Sequence, residues 1–251
     1  MRLGALLGPV AQSQNPQELA QQARSYAAEG FDSLWSAQAI GRGFMITDPF
    51  VTLAVAASVT EDVELGTAVL QLPLYHPVDF AHRVFSLMQV CGDRFILGLG
   101  TGSTESDFVA FDRGYDTRHR DFAAAVEQLR ALFAEGKLGD VDLSPWPAVR
   151  GGPPLFLGSW GAGVERAAKR YDGWIASGHY RTPDEVIGTL QRYRSAGGGR
   201  AIVSTLMITP DDDLGEKAEM LGRFAEAGFD DAVVMIQPGG PAPADVRALV
   251  G

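Results

Sequence analysis

Short apolar runs alternate along the chain with longer stretches that repeat apolar positions at helical spacing. The short runs predict eight strands: Leu3–Leu7, Ser33–Ala37, Glu64–Leu70, Arg94–Gly100, Leu155–Ser159, Trp174–Ala176, Ala201–Ile208 and Ala232–Ile236. The longer stretches predict eight helices: Gln17–Glu29, Pro49–Val59, Val78–Val90, Arg118–Glu135, Gly163–Tyr171, Pro183–Ala196, Leu214–Ala227 and Ala244–Leu249. The runs "VELGTAVLQL" (63–72) and "RFILGLG" (94–100) are apolar almost throughout. Strands read that way when helices cover both faces of a parallel sheet. Strict alternation predicts βαβ units. Five or six such units leave an open sheet, whereas eight close a ring. The 251 residues match the length of one (β/α)8 TIM barrel, expected as a single α/β domain over 1–251.

The punctuation agrees with this reading. Asn15-Pro16, Asp48-Pro49 and Thr182-Pro183 each set a capping side chain before a proline at the first helical position. Asn15 with Glu18, and Thr182 with Glu185, have capping-box spacing. "GFD" at 30–32 and again at 228–230 closes a helix and turns into a strand.

Charge and composition narrow the function. A net charge of −10 argues against nucleic acid and anionic membranes as partners. The lone Cys91 excludes a disulfide framework and a cysteine metal cluster, and reads as a small buried residue. No secretory signal and no apolar stretch of membrane-spanning length is visible, so a soluble cytoplasmic protein is the expectation.

In a barrel the chemistry sits at the carboxyl ends of the strands. Those ends bring up Gly8 and Pro9, Ser36 to Gln38, Gln71 and Tyr75, Thr101 to Ser103, Ser159 to Gly161, Gly178 to Tyr180, Thr209 and Pro210, and Gln237. None of the three lysines is among them, which disfavours a Schiff-base aldolase. The four histidines are scattered, so no metal site is expected. No carboxylate ends a strand, which disfavours a glycosidase. A mouth that is mostly uncharged, aromatic and glycine-rich suits a protein that borrows its reactivity from a cofactor. The loops "GTGSTES" (100–106) and "GSWGAG" (158–163) read either as phosphate cradles or as ordinary tight turns. His76, before Pro77, reads as a helix cap or a ligand donor. His179, in a glycine-flanked loop, is the candidate acid or base. Trp35 and Trp174 read as barrel packing.

On "GFDSLW" (30–35), "DPFVTLAVAASVTEDVELGTAVLQLPLYHP" (48–77), "DRFILGLGTGSTESDFVAFD" (93–112) and "PPLFLGSWGAGVERAAKRYDGWIAS" (153–177), the chain resembles the bacterial luciferase-like monooxygenase family. The resemblance implies a barrel that binds FMN or the deazaflavin F420 and forms a homodimer. It implies a non-prolyl cis peptide at Ala68–Val69, with Ala68, Val69 and Gln71 beside the flavin ring. It implies that Gly100, Thr101, Gly102 and Ser103, with Ser159, Trp160, Gly161, Ala162 and Gly163, hold the ribityl-phosphate tail. Two positions depart from luciferases proper. Their Glu-His-His run is replaced by Gln38, Ala39 and Ile40, and their phosphate-binding arginine by Thr101. The segment 136–152, which helps cover the substrate in many members, is short here.

The expected function is a flavin-dependent oxidoreductase acting on a small organic substrate, with reduced FMN and O2 or with F420. Gln38 and His179 are the catalytic candidates, and a flavin reductase is the expected source of reduced flavin. Two alternatives stay open: a non-catalytic flavin-binding barrel or subunit, and a barrel enzyme for a phosphorylated metabolite.

Overall fold

The computed structural model describes residues 1–8, 15 and 17–250. Pro9 and Pro16 lie outside them. The barrel strands are β1 (Arg2–Leu6), β2 (Ser33–Ser36), β3 (Glu64–Thr67, resuming at Leu70–Gln71), β4 (Phe95–Gly100), β5 (Leu155–Gly158), β6 (Gly173–Ser177), β7 (Arg200–Ile208) and β8 (Asp231–Ile236). Each pairs in parallel with the next, and β1 pairs with β8 through Arg2 opposite Asp231 to Ala5 opposite Val234. The sheet is therefore closed, as the eight units required. The helices between strands are α1 (Glu18–Ala28), α2 (Pro49–Val59), α3 (Pro77–Cys91), α4 (Arg118–Glu135), α5 (Gly163–Arg170), α6 (Pro183–Ser195), α7 (Leu214–Ala227) and, after β8, α8 (Pro243–Arg247).

Local chemistry sets the helix starts. The Asp48 carboxylate accepts from the main-chain N–H groups of Phe50 and Val51 ahead of α2. Thr182 and Glu185 close a reciprocal capping box on α6. His76 accepts at Nδ1 from Val78 N–H, so it is the cap of α3. Asn15 accepts from Gln17 N–H at 3.0 Å, just before α1. Left-handed Gly136 and Gly228 end α4 and α7.

Two apolar layers hold the ring. Inside it, Leu6, Trp35, Ile96, Phe156, Ile175, Ile202 and Val233 pack together. Trp35 is fully buried and lies so close to Gly66 that a Cβ there would meet its ring at 2.2 Å. Outside, the helices cover the sheet, with Trp174 against Tyr193 and Phe229. Cys91 is buried in this layer, and burial pushes its thiol up to about 11, so it stays protonated and unreactive near neutrality.

The amino end of the barrel is closed by charges that the strand pattern does not announce. Arg200, at the start of β7, bonds Asp231 at 2.7 Å and Glu64 at 2.8 and 3.0 Å, and Arg2 joins Glu64. All four stand at the first residue of a strand. Burial opposes the charge on Glu64, yet the hydrogen bonds from Arg200 and the nearby guanidinium charges outweigh it and lower its pKa. Asp231 is fully buried, and removing Arg200 would leave it only the longer contact with Arg2, at 3.7 Å.

The substitution Arg200→Met is expected to cost about 3 kcal/mol, read as a lower urea midpoint. Because the Glu64 pKa is lowered, its contribution is present above the ordinary value of 4.5 and is lost as pH falls through the folded value. Urea midpoints measured from pH 7 downwards should fall less steeply below about 4.5 in Glu64→Gln than in the natural chain.

Candidate active site

The site begins with a break in β3. The Ala68–Val69 peptide is cis, at the bond the family resemblance implied. The continuous apolar run at 63–72 hides this interruption, which divides the predicted strand after Thr67. Glycines on the neighbouring strands make room for it. A Cβ on Gly98 would sit 1.9 Å from Thr67 O, and one on Gly100 or Gly158 would sit 2.7 Å from the Val69 methyl groups. The Thr67 hydroxyl donates to Gly98 O and accepts from Gly98 N–H, at 2.8 and 2.9 Å. The break thus packs closely against β4 and β5, and Ala68 and Val69 line the mouth.

Above it opens a cleft of about 1640 Å³ at the carboxyl ends of the strands. Single-ligand pockets run to about 300–1,000 Å³, so this one has room for two small molecules. Of the sequence-predicted residues, Gln38, Ala68, Val69, Gln71, Gly100, Thr101, Gly102, Ser103, Ser159, Trp160 and His179 all line it. Gly161, Ala162 and Gly163 do not; they form the turn into α5, and Arg192 donates to Gly161 O from outside. The segment 136–152 contributes nothing to the lining. It forms the hairpin Lys137–Leu138 with Val141–Asp142.

A chain of amides and charges fixes the floor. Gln38 donates through Nε2 to the Tyr75 hydroxyl at 2.7 Å and accepts at Oε1 from Gln71 N–H at 2.9 Å. Burial raises the Tyr75 pKa, so the phenol stays protonated. Both ends of the Gln38 amide are engaged, which makes it a brace for the end of β3. Gln71 in turn donates through Nε2 to Asp107 at 2.6 Å, and Arg42 donates to the same carboxylate at 2.9 and 3.2 Å. Asp107 is fully buried. It comes from a short helix, Glu105–Val109, within the loop after β4. The carboxylate can only accept, so it dictates which way the Gln71 amide faces.

Four polar atoms of cleft-lining residues are buried with no partner among the described residues: Gln71 Oε1, Ser159 Oγ, Arg118 Nε and, near the start of α1, Glu18 Oε2. Such orphans are rare and point to groups that a ligand completes. Gly102, with φ +82°, keeps the first of them clear; a Cβ there would lie 2.5 Å from Gln71 Oε1 and 2.7 Å from Phe108. His179 is exposed at the rim, its ring edge-on to Tyr180 at 4.5 Å. Thr205 also lines the cleft, at φ +62°, where β7 slips register against β8 between Val203 and Leu206. A β-branched residue in the left-handed region is strained, and such bulges re-aim side chains at functional sites.

The mouth is therefore more charged than the strand ends suggested. Arg42, Arg118, His119 and Arg181 line it, all delivered by loops or by the start of α4. Arg181 lies over the Trp160 ring at 4.8 Å. No sequence periodicity marks Arg42 and Asp107 as partners, because 65 residues separate them. Among the described residues, no group of three or more His, Cys, Asp or Glu side chains could hold a metal ion, and no helix is long and apolar enough to cross a membrane.

Comparison with known proteins agrees with the geometry. The 4-hydroxyprotoasukamycin monooxygenase of Streptomyces nodosus subsp. asukaensis is 39% identical over 94 residues, 36% of this chain and 25% of that protein. The F420-dependent hydroxymycolic acid dehydrogenase of Mycobacterium tuberculosis is 26% identical over 200 residues, 72% of this chain and 55% of that protein. The chain thus spans from a quarter to about half the length of these two relatives. Among solved structures, the oxygenating constituent of 3,6-diketocamphane monooxygenase from Pseudomonas putida, in complex with FMN, superposes with a TM-score of 0.67. It is 18% identical, over 91% of this chain and 74% of that one, which shows the shared fold. The pattern of the luciferase-like monooxygenases matches residues 2–214, and the chain belongs to that family.

Proposed function

We propose that the protein is a flavin-dependent oxidoreductase that binds FMN or F420 in the cleft together with a small organic substrate. The observation that carries this reading is the set of orphaned polar atoms in a cleft with room for two molecules. Glycine-backed backbone at Ala68–Val69 offers a surface for a planar ring, and Gln71 Oε1 offers an acceptor for a ring N–H. Ser159 Oγ and Arg118 Nε offer donors for a phosphate. Arg118 takes the part that Thr101 cannot play. Two relatives carry F420 or FMN in their own names, which supports both cofactors equally.

When bound, the flavin supplies electrons or hydride, which no side chain of the cleft can do. The chain's own groups orient and enclose. Gln38 and Tyr75 hold the Gln71 main chain, and Asp107 with Arg42 holds its side chain. Trp160, beneath Arg181, covers the phosphate end. His179 stands at the rim, free to take or give a proton to the substrate. The strand-two base of luciferases is absent, so proton transfer in this chain falls to His179. A reductase supplying reduced FMN, and a homodimeric assembly, belong to the same reading.

The test is a fluorescence titration of the purified chain with FMN and with F420. Saturable binding of at least one supports the reading; no binding of either defeats it. Ser159→Ala is expected to weaken binding about tenfold with the fold intact, since it removes one charge-assisted hydrogen bond. Asp107→Asn leaves Arg42 without its anion. It is expected to lower stability by about 3 kcal/mol and to weaken flavin binding through the freed Gln71 amide. Urea unfolding and the same titration measure the two effects.

A further inference from the structure

A second concavity, of about 470 Å³, lies on the outer face between α4 and α5. His119, Arg120, Arg130, Arg166 and Arg170 line it, with Glu127 as its one carboxylate. Glu127 bonds Arg170 at 2.8 Å, and Arg120 pairs with Asp121 at 3.0 Å. Among the described residues, neither Arg130 nor Arg166 pairs with a carboxylate. Arg130 donates to the main-chain oxygen of Arg170 and lies 5.4 Å from the Tyr171 ring, and its Nε is buried without a partner. In a chain of net charge −10 this crowd of cations is anomalous, and it concentrates a field that attracts anions.

Its position gives it meaning. His119 lines both this groove and the cleft, and its neighbour Arg118 lines the cleft together with Ser103 and Ser159. His119 thus joins the two concavities, with Arg118 on the cleft side and Arg120 on the groove side. A ligand that ended at its phosphate would leave the groove unused. FMN ends there, in a phosphate monoester. The phosphate of F420 is a diester that continues into a chain of glutamates, each adding a carboxylate.

We infer that the groove between α4 and α5 holds the carboxylate tail of F420, and that this chain is built for F420 in preference to FMN. The inference rests on the flavin reading above and adds the choice between its two cofactors. Arg130 and Arg166 supply the unpaired charge, and Arg120 and Arg170 exchange exposed carboxylate partners for those of the tail. Exposed pairs of this kind are screened by salt, so the preference is greatest at low ionic strength.

The test compares three probes by fluorescence titration on the full chain: F420 with several glutamates, the same deazaflavin phospholactate with none, and FMN. Each is titrated at low and high salt, on the natural chain and on the double variant R166E/R170E, whose two sites are exposed and outside the cleft. The natural chain should bind the long-tailed form about fivefold or more tightly than the tailless form at low salt. That gap should close at high salt and in the double variant, while FMN affinity stays unchanged. Equal affinity for the long-tailed and tailless forms overturns the inference and leaves the flavin reading standing. So does a double variant that weakens FMN as much as F420. Failure of all three probes to bind overturns both, and circular dichroism of the variant excludes misfolding as the cause.

Discussion

The close seating of the interrupted third strand on β4 and β5 is the constraint on which the site depends. Gly98, Gly100 and Gly158 let the backbone at Thr67 and the Val69 side chain approach nearer than any Cβ would permit. That approach places Ala68 and Val69 in the lining of the mouth and sets where Gln71 begins. The amide chain from Tyr75 through Gln38 to Gln71, and the anchoring of Gln71 on Asp107 and Arg42, only make sense with the strand end held at that height. Dispersion and hydrogen bonding cooperate here: the glycines supply contact, and the Thr67 hydroxyl satisfies both polar groups of Gly98.

The barrel divides its labour between two ends. The amino end is sealed by Arg2, Glu64, Arg200 and Asp231, a bonded set of opposite charges that leaves no orphan. The carboxyl end leaves Gln71 Oε1, Ser159 Oγ, Arg118 Nε and Glu18 Oε2 without partners among the described residues. A buried polar atom left unpaired costs about 1–3 kcal/mol, so the mouth carries a deficit that the amino end does not. Thr205, held at φ +62° in the mouth wall, adds strain on the same side. Stability is concentrated below, and unsatisfied capacity above, where binding can use it.

Much of this was legible in the chain. Strand and helix limits follow the apolar periods to within a residue or two, and the proline caps at Asp48 and Thr182 fall where expected. The cis bond follows from motif resemblance, and most of the residues that resemblance implied for the flavin line the cleft. What escaped is what depends on long-range meetings. Arg42 sits in an irregular loop with no period, and Asp107 lies past the strand end on a helix of five residues. Nothing local announces that they meet. The amino-end cluster of Arg2, Glu64, Arg200 and Asp231 did leave a trace, since each member stands at the start of an apolar run, but a lone charge there also reads as a solvated strand end. The interruption of β3 is silent because Ala68 and Val69 are as apolar as their neighbours.

The most direct measurement of the central claim is a crystal structure of the chain with a bound flavin. The ring should pack on Ala68 and Val69, with Gln71 Oε1 accepting from it and a phosphate oxygen on Ser159 Oγ. A flavin bound elsewhere on the molecule, with those three contacts unmade, would contradict that claim.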